Sequence, residues 1–239
     1  MIYKIFNITF YDIDFKQFIN TKKKGLVILP SGPGLSTIHS DKIYYESIKN
    51  ADIALFDSGY FVLLLILMKN LTVSKFSGYK FLKSFFISIR NKKIFSIEVN
   101  KELAIKNMNY LKKYKISLHK NQYIAPIYKK GSYIRDLSLL KILKKKRPKI
   151  ILINLGGGTQ EVLGSYLKNN LKYKPLIICS GAAISFFTKQ QAPINNFFDT
   201  LYLGWLIRCI FNPVVFLPRY LSAFKLFFHV LSCDVKKIR

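Results

Sequence analysis

Ile150-Ile-Leu-Ile-Asn-Leu-Gly-Gly-Gly-Thr-Gln-Glu161 decides the fold class. Four consecutive β-branched or long aliphatic residues after Pro148 have no polar face, so they read as a strand buried on both sides. Asn154-Leu-Gly-Gly-Gly-Thr159 breaks that strand, and Gln160 opens a helix expected to run to about Leu171. A strand buried on both faces and followed directly by a helix is half of a βαβ unit. The same alternation recurs on either side. Gly25-Leu-Val-Ile-Leu29 reads as a strand stopped by the compact loop Pro30-Ser-Gly-Pro-Gly34, and a helix follows over 41–49. Ile53-Ala-Leu-Phe56 is a strand ending at Asp57-Ser-Gly59, with an apolar helix after it. Strands are also expected over 94–99 and 176–179, and helices over 101–115 and 136–146. This order implies an α/β protein with a mainly parallel sheet flanked by helices. From Asn195 the alternation stops. Two helices, over 198–211 and 216–231 with Asn212-Pro213 between them, form a C-terminal helical appendage, so a core of 1–194 and an appendage of 195–239 are expected.

The composition excludes several classes. Half of the 239 residues are apolar, which suffices for a sizeable core and rules out disorder. Three cysteines, Cys179, Cys209 and Cys233, are too few for a secreted disulfide scaffold, and a reducing cytosol is expected. The longest apolar run, Tyr60 to Met68, is shorter than the roughly 20 residues a bilayer requires, so it reads as a core helix and no segment is expected to span. The three histidines, His39, His119 and His229, have no metal-ligand spacing. With 39 Lys plus Arg against 12 Asp plus Glu, the net charge is +27, which calls for a polyanionic partner. No helix-turn-helix, zinc-finger or RNP pattern accompanies it, so nucleic acid is the weakest of the three polyanions considered, behind anionic lipid and a phosphate-bearing substrate.

In a parallel sheet, ligands bind beyond the carboxyl ends of the strands. Three loops fall there. Ser31 lies in the first. Asp57 and Gly59 lie in the second, where Asp57 is either a general base or the cap of the following helix. Gly156, Gly157 and Gly158 expose backbone N–H groups at a helix start. With Gln160 and Glu161 in the first turn, they suit an anion or form a tight turn with a favourable first-turn acid, and both readings stay open. The appendage mixes Trp205, Phe211, Phe216, Phe224, Phe227 and Phe228 with Arg208, Arg219, Lys225 and Lys236, which suits either a membrane interface or ordinary helix packing.

These stretches together resemble the WecG/TagA/CpsF glycosyltransferase family. Asn50-Ala-Asp-Ile-Ala-Leu-Phe-Asp57 is similar to its "ADLVLADG" segment, and Thr159-Gln160-Glu161 to its "PKQE". Gly181-Ala-Ala-Ile-Ser-Phe186, Gln191-Ala192-Pro193, Leu203-Gly-Trp-Leu-Ile-Arg208 and Asn212-Pro213 through Arg219-Tyr220 are similar to its C-terminal motifs. The resemblance implies a Rossmann-like core with a C-terminal helical appendage. It implies an inverting enzyme that moves a sugar such as N-acetylmannosamine from a UDP-sugar to a polyprenyl-pyrophosphate-linked acceptor. Such an enzyme works at the cytoplasmic face of the cell membrane in polysaccharide synthesis, with no cofactor and no metal, and with a homo-oligomer possible. Asp57 matches the family's general base. Gln160 and Glu161 match a pair lining the pocket, and Arg208 and Arg219 match arginines that face the donor's pyrophosphate. The chain departs from the pattern at several places. Val214-Val215 stand where two arginines are usual, Pro218 replaces one arginine, Gly204 replaces a Glu, and Pro30–Gly34 replaces a Thr-x-Asn loop. A divergent branch is implied, and the alternative is a non-catalytic basic module that docks on anionic membrane or on a polysaccharide-assembly complex. Deleting residues 211–239 is expected to leave a folded core.

Overall fold

The computed structural model describes residues 1–21, 24–118, 122–181, 183–184 and 204–238. Lys22, Lys23, His119, the motif residues at 182, 185–186, 191–193 and 203, the start of the helix expected from Phe198, and the boundary at 194/195 lie outside the described residues.

Strands β1 (Ile2–Ile5), β2 (Ile8–Tyr11), β3 (Gly25–Ile28), β4 (Ile53–Leu55), β5 (Lys93–Glu98), β6 (Ser117–Leu118), β7 (Tyr123–Ile124), β8 (Ile150–Asn154), β9 (Leu176–Cys179) and β10 (Val235–Lys237) form one sheet. Its order is β10-β1-β2-β4-β3-β9-β8-β5-β6, with β7 beside the far end of β5. Every pairing from β2 to β6 is parallel, while β1 is antiparallel to both β2 and β10. The expected α/β class with a mainly parallel sheet is what the chain adopts.

The helices among the described residues are α1 (Phe15–Thr21), α2 (Gly32–Leu35, a single turn), α3 (Lys42–Lys49), α4 (Gly59–Lys69), α5 (Gly78–Ser88), α6 (Lys101–Lys112), α7 (Leu137–Lys146), α8 (Thr159–Asn170), α9 (Gly204–Phe211), α10 (Pro213–Ala223) and α11 (Lys225–Ser232). The central strands are buried on both faces, and alternate residues feed two separate cores. Leu26, Ile28, Ile151, Ile153, Ile177 and Cys179 meet α3, α4, α7, α8 and α11. Val27, Ile53, Leu55, Leu152 and Ile178 meet α1, α5 and the end of α6 on the other face. Helices thus cover both sides of the sheet.

Four features differ from the sequence reading. The first eleven residues form a hairpin whose two-residue turn, Phe6-Asn7, has both residues in the left-handed region, the geometry that matches strand twist. Helix α5 was not anticipated, although Phe81, Leu82, Phe85 and Phe86 recur at helical spacing. The loop after β3 winds into α2, whose first turn is capped by Ser31: its Oγ accepts from the Gly34 N–H at 3.2 Å. The last helix begins earlier than expected, at Pro213 under an Asn212 cap, and is interrupted at Phe224.

The C-terminal segment is tied into the rest of the fold. Leu226 and Val230 of α11 are fully buried in the larger core, Lys69 Nζ donates to the Leu231 carbonyl at 3.0 Å, and β10 returns to the sheet edge beside β1. Deleting residues 211–239 would therefore open the core and expose the edge of β1, contrary to the expectation of an intact remainder. The stretch Pro213–Ser232 is also long and apolar enough to cross a membrane by length and composition, and little of it is buried. Counting uninterrupted apolar runs misses it, because Arg219 and Lys225 divide the stretch.

Leu226→Ala should destabilise the whole protein by about 2–5 kcal/mol, the usual cost of emptying a buried leucine site. A single cooperative denaturant transition shifted to a lower midpoint is expected, whereas an unchanged midpoint would mean that α11 folds apart from the core.

Candidate active site

The carboxyl ends of β3, β4, β8 and β9 share one edge of the sheet, and a cleft of about 310 Å³ opens there. Its walls come from the loops after these strands, the start of α5, Lys130, and the C-terminal residues Trp205, Arg208, Phe216, Arg219 and Tyr220. Ser31, Asp57, Gly59, Gly157, Gly158, Gln160, Glu161, Arg208 and Arg219 all line it. Gly156, the remaining residue expected at the site, does not: it is exposed, faces open space, and its carbonyl accepts from the Gln160 N–H at 3.2 Å.

Asp57 directly follows β4. The cap of α4 is supplied by its neighbour Ser58, whose Oγ accepts from the Phe61 N–H at 3.3 Å, so the capping alternative for Asp57 on this helix does not hold. One oxygen of the Asp57 carboxylate instead accepts from the Gly78 N–H at 2.5 Å, at the start of α5. A Cβ at Gly78 would lie 3.1 Å from that oxygen, so glycine allows the close approach. The amide at the start of α5 thus fixes the position of the Asp57 carboxylate. Gly32 packs as closely on the same turn, where a Cβ would meet Ser58 Oγ at 2.9 Å, and this locks the first and second loops together.

In the glycine turn, Gly158 takes φ +92°, a conformation that side chains disfavour. Glu161 is 1% exposed and turns back to accept from the Gly158 N–H at 2.7 Å, as the acid of a capping box does. Its other oxygen accepts from Gln160 Nε2 at 2.9 Å. Glu161 thus shapes this turn, and the turn lines the cleft. Burial pushes the Glu161 carboxyl up, against the hydrogen bonds from Gln160 and Gly158. Burial first, and then the Glu161 carboxyl, push the Tyr44 phenol and the Cys179 thiol well up.

Residues 3–239 match the profile of the glycosyl transferase WecG/TagA/CpsF family. The chain belongs to this family. It is a glycosyltransferase family serving cell-surface polysaccharide synthesis, and the match covers essentially the whole chain. No curated protein matches it individually.

In this WecG/TagA/CpsF chain, the C-terminal helices bring cations and aromatic rings to the cleft. Trp205 and Tyr220 lie 5.8 Å apart between ring centroids, and Arg208 Nη1 donates to the Tyr220 hydroxyl at 3.5 Å. Arg219 is exposed at the mouth. Lys75, Tyr79, Lys130 and Ser180 also line the cleft, and sequence reasoning passed over them. Lys130 stands beside Lys129 in one of several short runs of lysine, such as Lys112-Lys113 and Lys144–Lys146, and only its place in the fold separates it from the rest. Among the described residues, no three His, Cys, Asp or Glu side chains group to hold a metal ion.

Glu161→Gln tests the buried acid. A folded-state pKa raised above the unfolded value stabilises fully only below the ordinary carboxyl range, about pH 4, and that stability is lost as pH rises through the folded value. The wild type should therefore lose stability relative to Glu161→Gln as pH rises above the ordinary carboxyl range, about 4. Parallel stability curves in urea titrations would contradict an elevated Glu161.

Proposed function

We propose that this cleft transfers N-acetylmannosamine or a related sugar, with inversion and without a metal, from a UDP-sugar to a polyprenyl-pyrophosphate-linked saccharide. Asp57 takes the proton of the acceptor hydroxyl as that oxygen attacks the anomeric carbon. The bond from that carbon to the UDP oxygen breaks, and UDP leaves with the electron pair. Arg208 and Arg219 offset the charge that builds on the departing pyrophosphate, for which guanidinium forks are suited. Ser31, Gly59, the turn at Gly157 and Gly158, and the Gln160–Glu161 pair hold the donor.

The observation that carries this reading is the convergence on one cleft of an aspartate held at a helix start, a glycine turn, and two arginines from the far end of the chain. A non-catalytic docking module has no need of that combination. The acceptor's lipid stays in the bilayer, so we infer a cytoplasmic enzyme peripheral to the inner membrane face. Support comes from the exposed Val214, Leu217, Leu221, Phe224, Phe228 and Leu231 on a stretch that also carries Arg219 and Lys225.

Asp57→Asn should lower the transfer rate about 10²–10⁴-fold in an assay with UDP-N-acetylmannosamine and a lipid-linked acceptor, since a lost general base costs that much. Undiminished turnover would remove Asp57 as the base. Replacing Phe224, Phe228 and Leu231 together by serine should weaken pelleting with phosphatidylglycerol vesicles while leaving the melting temperature in place. Unchanged pelleting would contradict the membrane contact.

A further inference from the structure

Behind the cleft floor runs a chain of hydrogen bonds that begins at a buried carboxylate. Glu98 and Asn154 are paired neighbours at the carboxyl ends of β5 and β8, and Ser180 follows the adjacent β9. Glu98 is fully buried. Its Oε2 accepts from Asn107 Nδ2 at 2.8 Å, and its Oε1 accepts from Asn154 Nδ2 at 2.8 Å and from the Ser96 hydroxyl. Because the Asn154 amide directs its NH2 at Glu98, its Oδ1 faces the other way and meets Ser180 Oγ at 2.5 Å. The second contact of Ser180 Oγ is also with an acceptor, the Ile153 carbonyl at 3.1 Å. A hydroxyl has one proton and two lone pairs. The Ser180 proton is therefore directed into the wall, and what it can offer a ligand is a lone pair.

Gln160 repeats the pattern beside Gly181, the residue after Ser180. Its Nε2 is held by Glu161, and its Oε1 is buried without a hydrogen-bond partner. That oxygen lies 3.4 Å from where a Cβ at Gly181 would stand. Two acceptors, each oriented by a buried glutamate, thus flank Gly181 in the cleft wall.

We propose that Glu98 is a positioning residue that fixes Ser180 as a hydrogen-bond acceptor, so that this part of the cleft takes an uncharged O–H or N–H group of the nucleotide sugar and not its phosphates. The inference rests on the UDP-sugar reading above, and it divides the cleft into an acceptor wall at Gly181 and a cationic side at Arg208 and Arg219. The donor group belongs either to the saccharide or to the nucleoside.

Calorimetric titration of the full chain with UDP-N-acetylmannosamine, UDP and inorganic pyrophosphate tests this. Ser180→Ala and Glu98→Leu should each weaken UDP-N-acetylmannosamine binding about three- to tenfold, the worth of one neutral hydrogen bond, and leave pyrophosphate binding unchanged. Glu98→Gln should restore the affinity. Its amide oxygen can face Asn154 while its NH2 meets Asn107 Oδ1, which is buried and unpartnered in the wild type. A merely structural role for Glu98 would not give this rescue. If UDP alone shows the same loss, the group read is on the nucleoside; if UDP is unaffected, it is on the saccharide. Either result supports the acceptor wall. Unchanged UDP-N-acetylmannosamine affinity in Ser180→Ala, which leaves Glu98 and its three donors in place, overturns the inference alone, as does an equal loss for pyrophosphate. A wild type that binds no UDP-N-acetylmannosamine overturns the donor reading and this inference with it.

Discussion

Parallel pairing of β4, β3, β9 and β8 is the constraint on which the other features depend. Parallel strands end on the same side, so loops from distant parts of the chain must meet at one edge. Residues 29–34, 57–60, 157–161 and 180–181 become neighbours there without any contact between them in sequence. The pairing itself follows from strands with no polar face. Leu26 to Ile28, Ile53 to Leu55 and Ile150 to Ile153 can be buried on both sides only if helices cover both faces, and the βαβ connections supply them.

The cleft separates its charges. Its buried carboxylates are satisfied inside the protein, Glu161 by its own turn and Glu98 behind the floor by two asparagines and a serine, while the half-buried Asp57 lines the cleft and is held at the start of α5 by the Gly78 amide. Its cations, Lys130, Arg208 and Arg219 among them, come from loops and from the C-terminal helices. Burying a carboxylate is costly unless donors surround it, which explains why each has amides within hydrogen-bond distance. The excess of 39 basic over 12 acidic residues is thereby felt at the open side, where an anionic ligand or an anionic surface would approach.

Much of this was legible in the sequence because it rests on local patterns. The strand at 150–154, its glycine turn and the helix after it follow from side-chain type alone, and Asp57 stands out as a carboxylate between a strand and a glycine. What was not legible depends on partners far away. Val235–Lys237 carries two lysines and no strand signature, and becomes a strand only because β1 offers an unpaired edge. The first hairpin turns through Phe6-Asn7, without the glycine that marks most such turns. Glu98 sits in an apolar strand as an apparent interruption, and its donors Asn107 and Asn154 meet it only in the folded chain. Glu161 faces a cleft, yet its own turn claims its carboxylate, a distinction that residue type cannot make.

A crystal structure of the full chain soaked with UDP tests the central claim most directly. The account predicts the pyrophosphate between the Arg208 and Arg219 guanidiniums, with the Asp57 carboxylate facing the open space beside its terminal phosphate. A nucleotide bound elsewhere on the surface, or a pyrophosphate remote from both arginines, would contradict it.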